Sequence, residues 1–259
     1  MTWNDFIYFA LPSCLLWIAA GTLVYTRINR RVIDALMIAG ILLLNLFIAA
    51  FWIELERPPL RTMGETRLWY SFFLSLVGYI TYKHWKYKWL LSFSSLMAIV
   101  FVAINLMKPE IHSKNLMPAL QSYWFVPHVT AYILSYAMLG AATIASILQI
   151  KKLNKGTSDP MLYQLMDNLV YSGFGFLMLG LLMGCFWAKA AWGHYWAWDP
   201  KETWAFVTAG AYLTYIHMRL GKEASIFTIW ILPVAFILLL ITWIGVNYLP
   251  SAQSSIHVY

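Results

Sequence analysis

The sequence predicts an all-α protein, a polytopic integral membrane bundle of about eight transmembrane helices with both termini on the outer side. Three observations predict it. Of 259 residues, 61% are hydrophobic and only 11% charged, whereas soluble domains average about a quarter charged. Apolar runs approaching the ~20 residues needed to span a bilayer recur along the chain. Basic residues, finally, are shared unevenly between alternate connections.

The apolar runs extend roughly from Phe6 to Tyr25, Val32 to Ile53, Leu68 to Tyr82, Trp89 to Met107, Val129 to Ile150, Leu169 to Trp187, Trp204 to Met218 and Ile226 to Leu249. The third and seventh are short and are expected to borrow a turn from their flanks. The N-terminal MTWNDF lacks a basic region and a small-residue cleavage pattern, so the first run reads as a retained helix. No internal repeat or low-complexity linker is visible, and residues 1–259 read as one membrane domain.

Orientation follows from the connections. TRINRR, KHWKYK, KKLNKG and MRLGK hold eleven of the eighteen bases, and the chain's net charge of +7 falls wholly on that side. The opposite side is neutral. Basic connections stay cytoplasmic, which leaves three substantial outer segments: Glu54 to Arg67, Lys108 to His128, and Trp187 to Trp204. A basic excess of this kind orients a membrane chain, and no basic aromatic patch points to nucleic acid. Cys14 and Cys185 lie 171 positions apart in apolar runs, which excludes a CxxC redox pair, a CxxCH haem-attachment site and a cysteine-rich metal cluster.

The third outer segment reads WAKAAWGHYWAWDPKETW and places Trp187, Trp192, Trp196, Trp198 and Trp204 within eighteen residues. An aromatic belt at the headgroup level accounts for one or two tryptophans per helix end, not five. Broad rings offer contact area and stacking to a flat apolar ligand. Asp199, Pro200 and Glu202 read as a helix start, with Asp199 as N-cap; a rigid start also fixes the tryptophans beside it. Lys201 and Lys189 are candidates to pair with a ligand carboxylate, although outer lysines often snorkel to lipid phosphate.

WGHYWAWDPKETW, Trp192 to Trp204, resembles the tryptophan-rich WWD motif of the haem-handling superfamily, and its DPKETW ending resembles the CcsA (ResC) branch of cytochrome c synthesis system II more than the CcmC branch. PPLRTMGETRLWYSF, PALQSYWFVPHVTAYILSYA, AYLTYIHMRL and IGVNYLPSAQSSIHVY extend the resemblance from about Pro58 to the C-terminus. Gly64 departs from the aromatic expected there in many relatives. The resemblance implies haem b as substrate and bound ligand, with Trp192, Trp196, Trp198, Asp199, Lys201 and Trp204 as its site. It implies a CcsB (ResB) partner, CxxCH apocytochromes c as acceptors, and a bacterial inner membrane with the active face outside.

Haem iron takes axial ligands, and neutral imidazole is the commonest. His128 opens the fifth run and His257 follows the eighth, so four spans separate them and parity places both on the side of the tryptophan segment. Residues alone favour two interfacial histidines; the resemblance makes them the two external haem ligands. His217 ends the seventh run on the inner side, thirteen residues past Trp204, about 20 Å away at 1.5 Å per residue. On residue type alone it is equally a snorkelling group and a functional one. The resemblance matches it to an intramembrane histidine that receives haem before export, with a second ligand from the partner. His84 reads as a solvated basic turn, His112 as a surface residue, and His194 as a packing residue.

The expected activity is holocytochrome c synthase (lyase-type) action together with the partner: haem export and presentation for thioether attachment. The alternative is a CcmC-like haem chaperone or exporter that does not form the bond; DPKETW argues against it. A b-type cytochrome would need paired histidines on facing spans, and only His217 lies inside one.

Overall fold

The computed structural model describes residues 1–60, 62–113, 122–220 and 225–250. His257, an expected haem ligand, lies outside the described residues. All helices and turns here are α or 3₁₀, with no β-strand among the described residues. The chain divides into two compact units, Met1–Gln121 and Ser122–Tyr259.

The first unit holds α1 (Phe6–Leu23), α2 (Arg30–Leu55), α3 (Met63–Trp85), α4 (Lys88–Met107) and the short α5 (Glu110–Ser113). α1 packs on α2 and α4, and α3 packs on α4. The α1–α2 contact is close because Gly40 makes room for the fully buried Trp17; a Cβ at Gly40 would lie 2.6 Å from the indole nitrogen. α3 starts before the apolar run at Leu68 because polar side chains build its first turn. Thr62 and Glu65 form a capping box, and Arg57 donates from both terminal guanidinium nitrogens to Glu65, each at 2.9 Å.

The second unit holds α6 (Phe125–Leu153), α7 (Pro160–Trp192), α8 (Pro200–Arg219) and α9 (Ile226–Trp243). α6 and α7 are the most extensively packed pair, for a reason visible along both helices. Gly173, Gly180 and Gly184 open one face of α7, and a Cβ at each would meet Leu139, Tyr132 and His128 of α6 at 2.9, 2.6 and 2.8 Å. The partners descend on α7 as they rise on α6, so the helices run antiparallel. Small residues let backbones approach in this way where lipid supplies no hydrophobic drive.

Among the described residues, six helices are long and apolar enough to cross a membrane: α1 with its preceding turn, α2, α4, α6, α7 and α9. α3 and α8 fall outside that class, since α3 carries Glu65, Arg67, Lys83 and His84 and α8 carries Lys201, Glu202, His217 and Arg219. Several boundaries differ from the sequence reading, the largest in α7 and α9. α7 begins at Pro160 rather than Leu169, because Asp159 accepts from the Met161 amide and Pro160 opens the helix, the same Asp-Pro start recognised at Asp199. α7 also continues past Trp187 to Trp192, so the first part of the tryptophan segment is helical. α9 stops at Trp243 instead of Leu249 and gives way to a 3₁₀ turn, Gly245–Tyr248; glycine is a poor helix continuation.

Candidate functional site

The site is built at the end of the second unit where α6 begins and α7 finishes. His128 stands in the first turn of α6, and its Nδ1 lies 2.7 Å from the carbonyl oxygen of Gly180. A carbonyl can only accept, so Nδ1 carries the proton and the lone pair of the neutral ring sits on Nε2. Metal-ligating histidines are held this way: the second ring nitrogen donates to a fixed acceptor, setting tautomer and orientation. Gly184 leaves the space the ring occupies. One face of the imidazole lies over Trp187, at 5.6 Å and 25°, and its edge meets Tyr132 at 4.6 Å and 64°.

Trp187 is 2% exposed and meets Trp192 edge-on at 4.7 Å. It is therefore a support beneath His128, while the half-buried Trp192 stands nearer the surface. Gly193 then ends α7 in the left-handed region at φ +87°. Lys189 donates to the Gly193 carbonyl at 2.6 Å and lies over the Tyr195 ring, so this lysine is engaged at its own helix end.

Residues 193–199 carry the chain to α8. Trp196 is half-buried, and its buried indole N–H has no acceptor among the described residues. Trp198 is 63% exposed, adopts φ +57°, and stands edge-on to Trp196 at 5.6 Å and to Phe206 at 5.8 Å. Asp199, only 6% exposed, caps α8 by accepting from the Lys201 amide at 3.2 Å. Trp204 is half-buried near the start of the same helix.

His217 sits at the other end of α8. Its Nδ1 donates to the carbonyl of Leu213, one turn back on its own helix, at 2.9 Å, which again leaves the lone pair on Nε2. The side chain is exposed. Its neighbours two residues either way turn inward: Tyr215 donates to Asp167 of α7 at 2.8 Å, and the Arg219 guanidinium bonds both oxygens of Asp167. The helix end is pinned to α7, and His217 faces away from it.

The structure thus groups His128, Trp187 and Trp192 at one end, arrays Trp196, Trp198, Asp199, Lys201 and Trp204 around the start of α8, and sets His217 far from both. His84 is exposed beside Trp85, and His194 is exposed. His112 is not the surface residue expected: it is half-buried and stacks on Trp3 at 3.7 Å and 5°, with Nε2 donating to the Asn105 carbonyl at 3.0 Å. No cluster of three or more His, Cys, Asp or Glu suited to a metal ion occurs among the described residues. Sequence reading missed Gly180 and Gly184 as the seat of His128, and it missed Thr203, whose hydroxyl donates to the Trp198 carbonyl. The glycine spacing on α7, seven then four residues, facing His128, Tyr132, Ser135 and Leu139 on α6, was the available signal.

Fold and site define a helical membrane protein in which a histidine, fixed to a helix carbonyl and backed by tryptophan, stands beside a tryptophan-rich turn. Comparison with known proteins makes the class specific: the cytochrome C assembly protein family matches residues 61–253. A cytochrome c biogenesis protein CcsA of Chlamydomonas reinhardtii is 35% identical over 225 residues, which is 80% of this chain and 63% of that protein. CcsA proteins of Welwitschia mirabilis and Prochlorococcus marinus are 31% and 30% identical over 257 and 264 residues, covering 83% and 85% of this chain and 83% and 82% of theirs. The chain belongs to the CcsA family.

Proposed function

We propose that this chain is the haem-handling subunit of a cytochrome c synthase: haem b enters near His217, passes to the outer face, and is held there by His128 and His257 over the tryptophans. The observation that carries this reading is the seat of His128, whose Nδ1–H is fixed to Gly180 while its lone pair is assigned to Nε2. The broad faces of Trp192, Trp196 and Trp198 suit a flat conjugated ligand. The outward-facing lone pair of His217 suits a site completed by another subunit, for which a CcsB (ResB) protein is the proposed partner.

In this reading all eight long helices span the membrane, both termini lie outside, and the platform faces the extracytoplasmic side. Asp199 and Lys201 stand near the polar edge of the ligand. Thioether formation joins the haem vinyl groups to the cysteine thiols of a CxxCH apocytochrome c, and the protein contributes mainly proximity and orientation. No nucleophile of its own is needed.

The test is made in the partner-containing complex. His128→Gly should open one coordination position, changing the haem absorption spectrum, and added imidazole should restore six-coordinate haem and part of cytochrome c maturation. His217→Gly should lower the amount of haem on the platform while leaving the ligation of the remainder unchanged. Unchanged ligation in His128→Gly would falsify the axial assignment.

A further inference from the structure

The tryptophan turn contains a conformational anomaly that its composition does not explain. Trp198 occupies φ +57°, a region that bulky side chains adopt only when their surroundings impose it, at a cost of about 1–3 kcal/mol. The imposing groups are identifiable, and they come from one turn of α8. Glu202 Oε2 accepts the backbone N–H of Ala197 at 2.8 Å and that of Asp199 at 3.2 Å, bracketing Trp198 on both sides. Thr203 Oγ1 donates to the carbonyl of Trp198 itself, at 3.1 Å. One backbone group from each of three consecutive residues, Ala197, Trp198 and Asp199, is thereby fixed by two adjacent side chains.

An ordinary helix start does not need this much. A capping box requires only that the Glu side chain reach back to the N-cap amide; here the same oxygen also takes the amide two residues earlier, and Thr203 adds a bond to the intervening carbonyl. The consequence is that the most exposed tryptophan described in this turn presents its indole in a fixed direction, edge-on between Trp196 and Phe206.

We infer that Glu202 and Thr203 are positioning residues: they hold Trp198 in its left-handed conformation so that its ring is presented, already oriented, to the haem. The inference rests on the haem-platform reading above, and it assigns to the ET of DPKETW a task distinct from helix capping. Orientation fixed before binding spares the ligand the entropy of ordering the turn.

The experiment separates this role from simple folding and from the haem reading itself. In the partner-containing complex, Glu202→Ala should lower haem per protein by about fivefold or more, since bonds to an ionised acceptor are the stronger ones. Glu202→Gln, which keeps a carbonyl oxygen in reach of the two amides, should recover most of it. Thr203→Val, which removes the hydroxyl that donates to the Trp198 carbonyl, should give a larger loss than Thr203→Ser, which keeps it. The deciding measurement is a double-mutant cycle: in a Trp198→Ala background Glu202→Ala should cause no further loss of haem, because nothing remains to be positioned. Additive losses would overturn the inference. A haem-independent probe, ¹⁹F NMR of 5-fluorotryptophan at Trp198 in apo-complex, should show a shifted or broadened resonance for Glu202→Ala and not for Glu202→Gln. An unchanged resonance sinks the clamp whatever haem does. A clamp seen by NMR together with haem content indifferent to Trp198→Ala would instead reject the platform reading and with it the purpose assigned here.

Discussion

His128 in the second unit and His112 in the first are assembled from the same parts and differ in one atom. Each imidazole lies over a tryptophan, Trp187 or Trp3. Each donates to a backbone carbonyl from a neighbouring helix, and each rests against a glycine that leaves room for it: a Cβ at Gly184 would come within 2.8 Å of His128, and one at Gly64 within 2.9 Å of His112. The difference is the nitrogen used. His128 donates from Nδ1, so its lone pair lies on Nε2 at the tip of the ring. His112 donates from Nε2 at the tip, which puts the lone pair on Nδ1 beside its own backbone. Its ring is also pressed flat on indole at 3.7 Å. A histidine on a tryptophan is therefore not a ligand by virtue of its surroundings in general; the carbonyl that takes its proton decides which end can coordinate.

The sharpest way to break this comparison is to replace both rings by glutamine, which can still donate to a carbonyl but coordinates iron poorly. His128→Gln should lose nearly all six-coordinate haem in the complex, and His112→Gln should keep wild-type haem per protein. Equal losses measured by absorption spectroscopy would show that both residues act through packing.

Next in size are the two glycines. Gly184→Ala forces a methyl group against the His128 ring, and overpacking of this kind costs about 1–3 kcal/mol. The expected result is a severalfold lower haem content and an altered axial spectrum at near-normal protein abundance. Gly64→Ala pushes on His112 and Trp3 with comparable geometry, yet should lower the thermal midpoint alone. Haem titration beside thermal unfolding of both variants checks the pair; a spectral change in Gly64→Ala would contradict it.

The smallest effect expected is one of pH. Burial holds the His112 imidazole below its ordinary range, and the Asn105 carbonyl and Glu110 only partly oppose this. The folded state thus favours the neutral ring. Its share of stability is present above the unfolded histidine value, about 6.5, and is lost as pH falls through the lowered folded value. Wild-type Tm should decline as pH falls below about 6.5 more steeply than that of His112→Gln. Parallel Tm profiles would remove His112 from the account.

The sequence by itself determined the membrane character, the placement of the long helices, the Asp199 helix start and the concentration of tryptophan beside it. Composition and hydrophobic run length carry those because a bilayer imposes them on every residue in turn. Three things waited for the tertiary structure. The proton on His128 is set by a carbonyl 52 residues away, and no local pattern names that partner. Trp187 and Trp198 look alike in the sequence, but packing on α6 buries the first and the clamp from Glu202 and Thr203 holds the second out in a conformation no propensity favours. His112, a surface residue by its neighbours in KPEIHSK, is drawn inward by Trp3 and Asn105, which lie on other helical elements. Burial and tautomer are properties of side chains brought together through space, and only the packed fold decides which side chains meet.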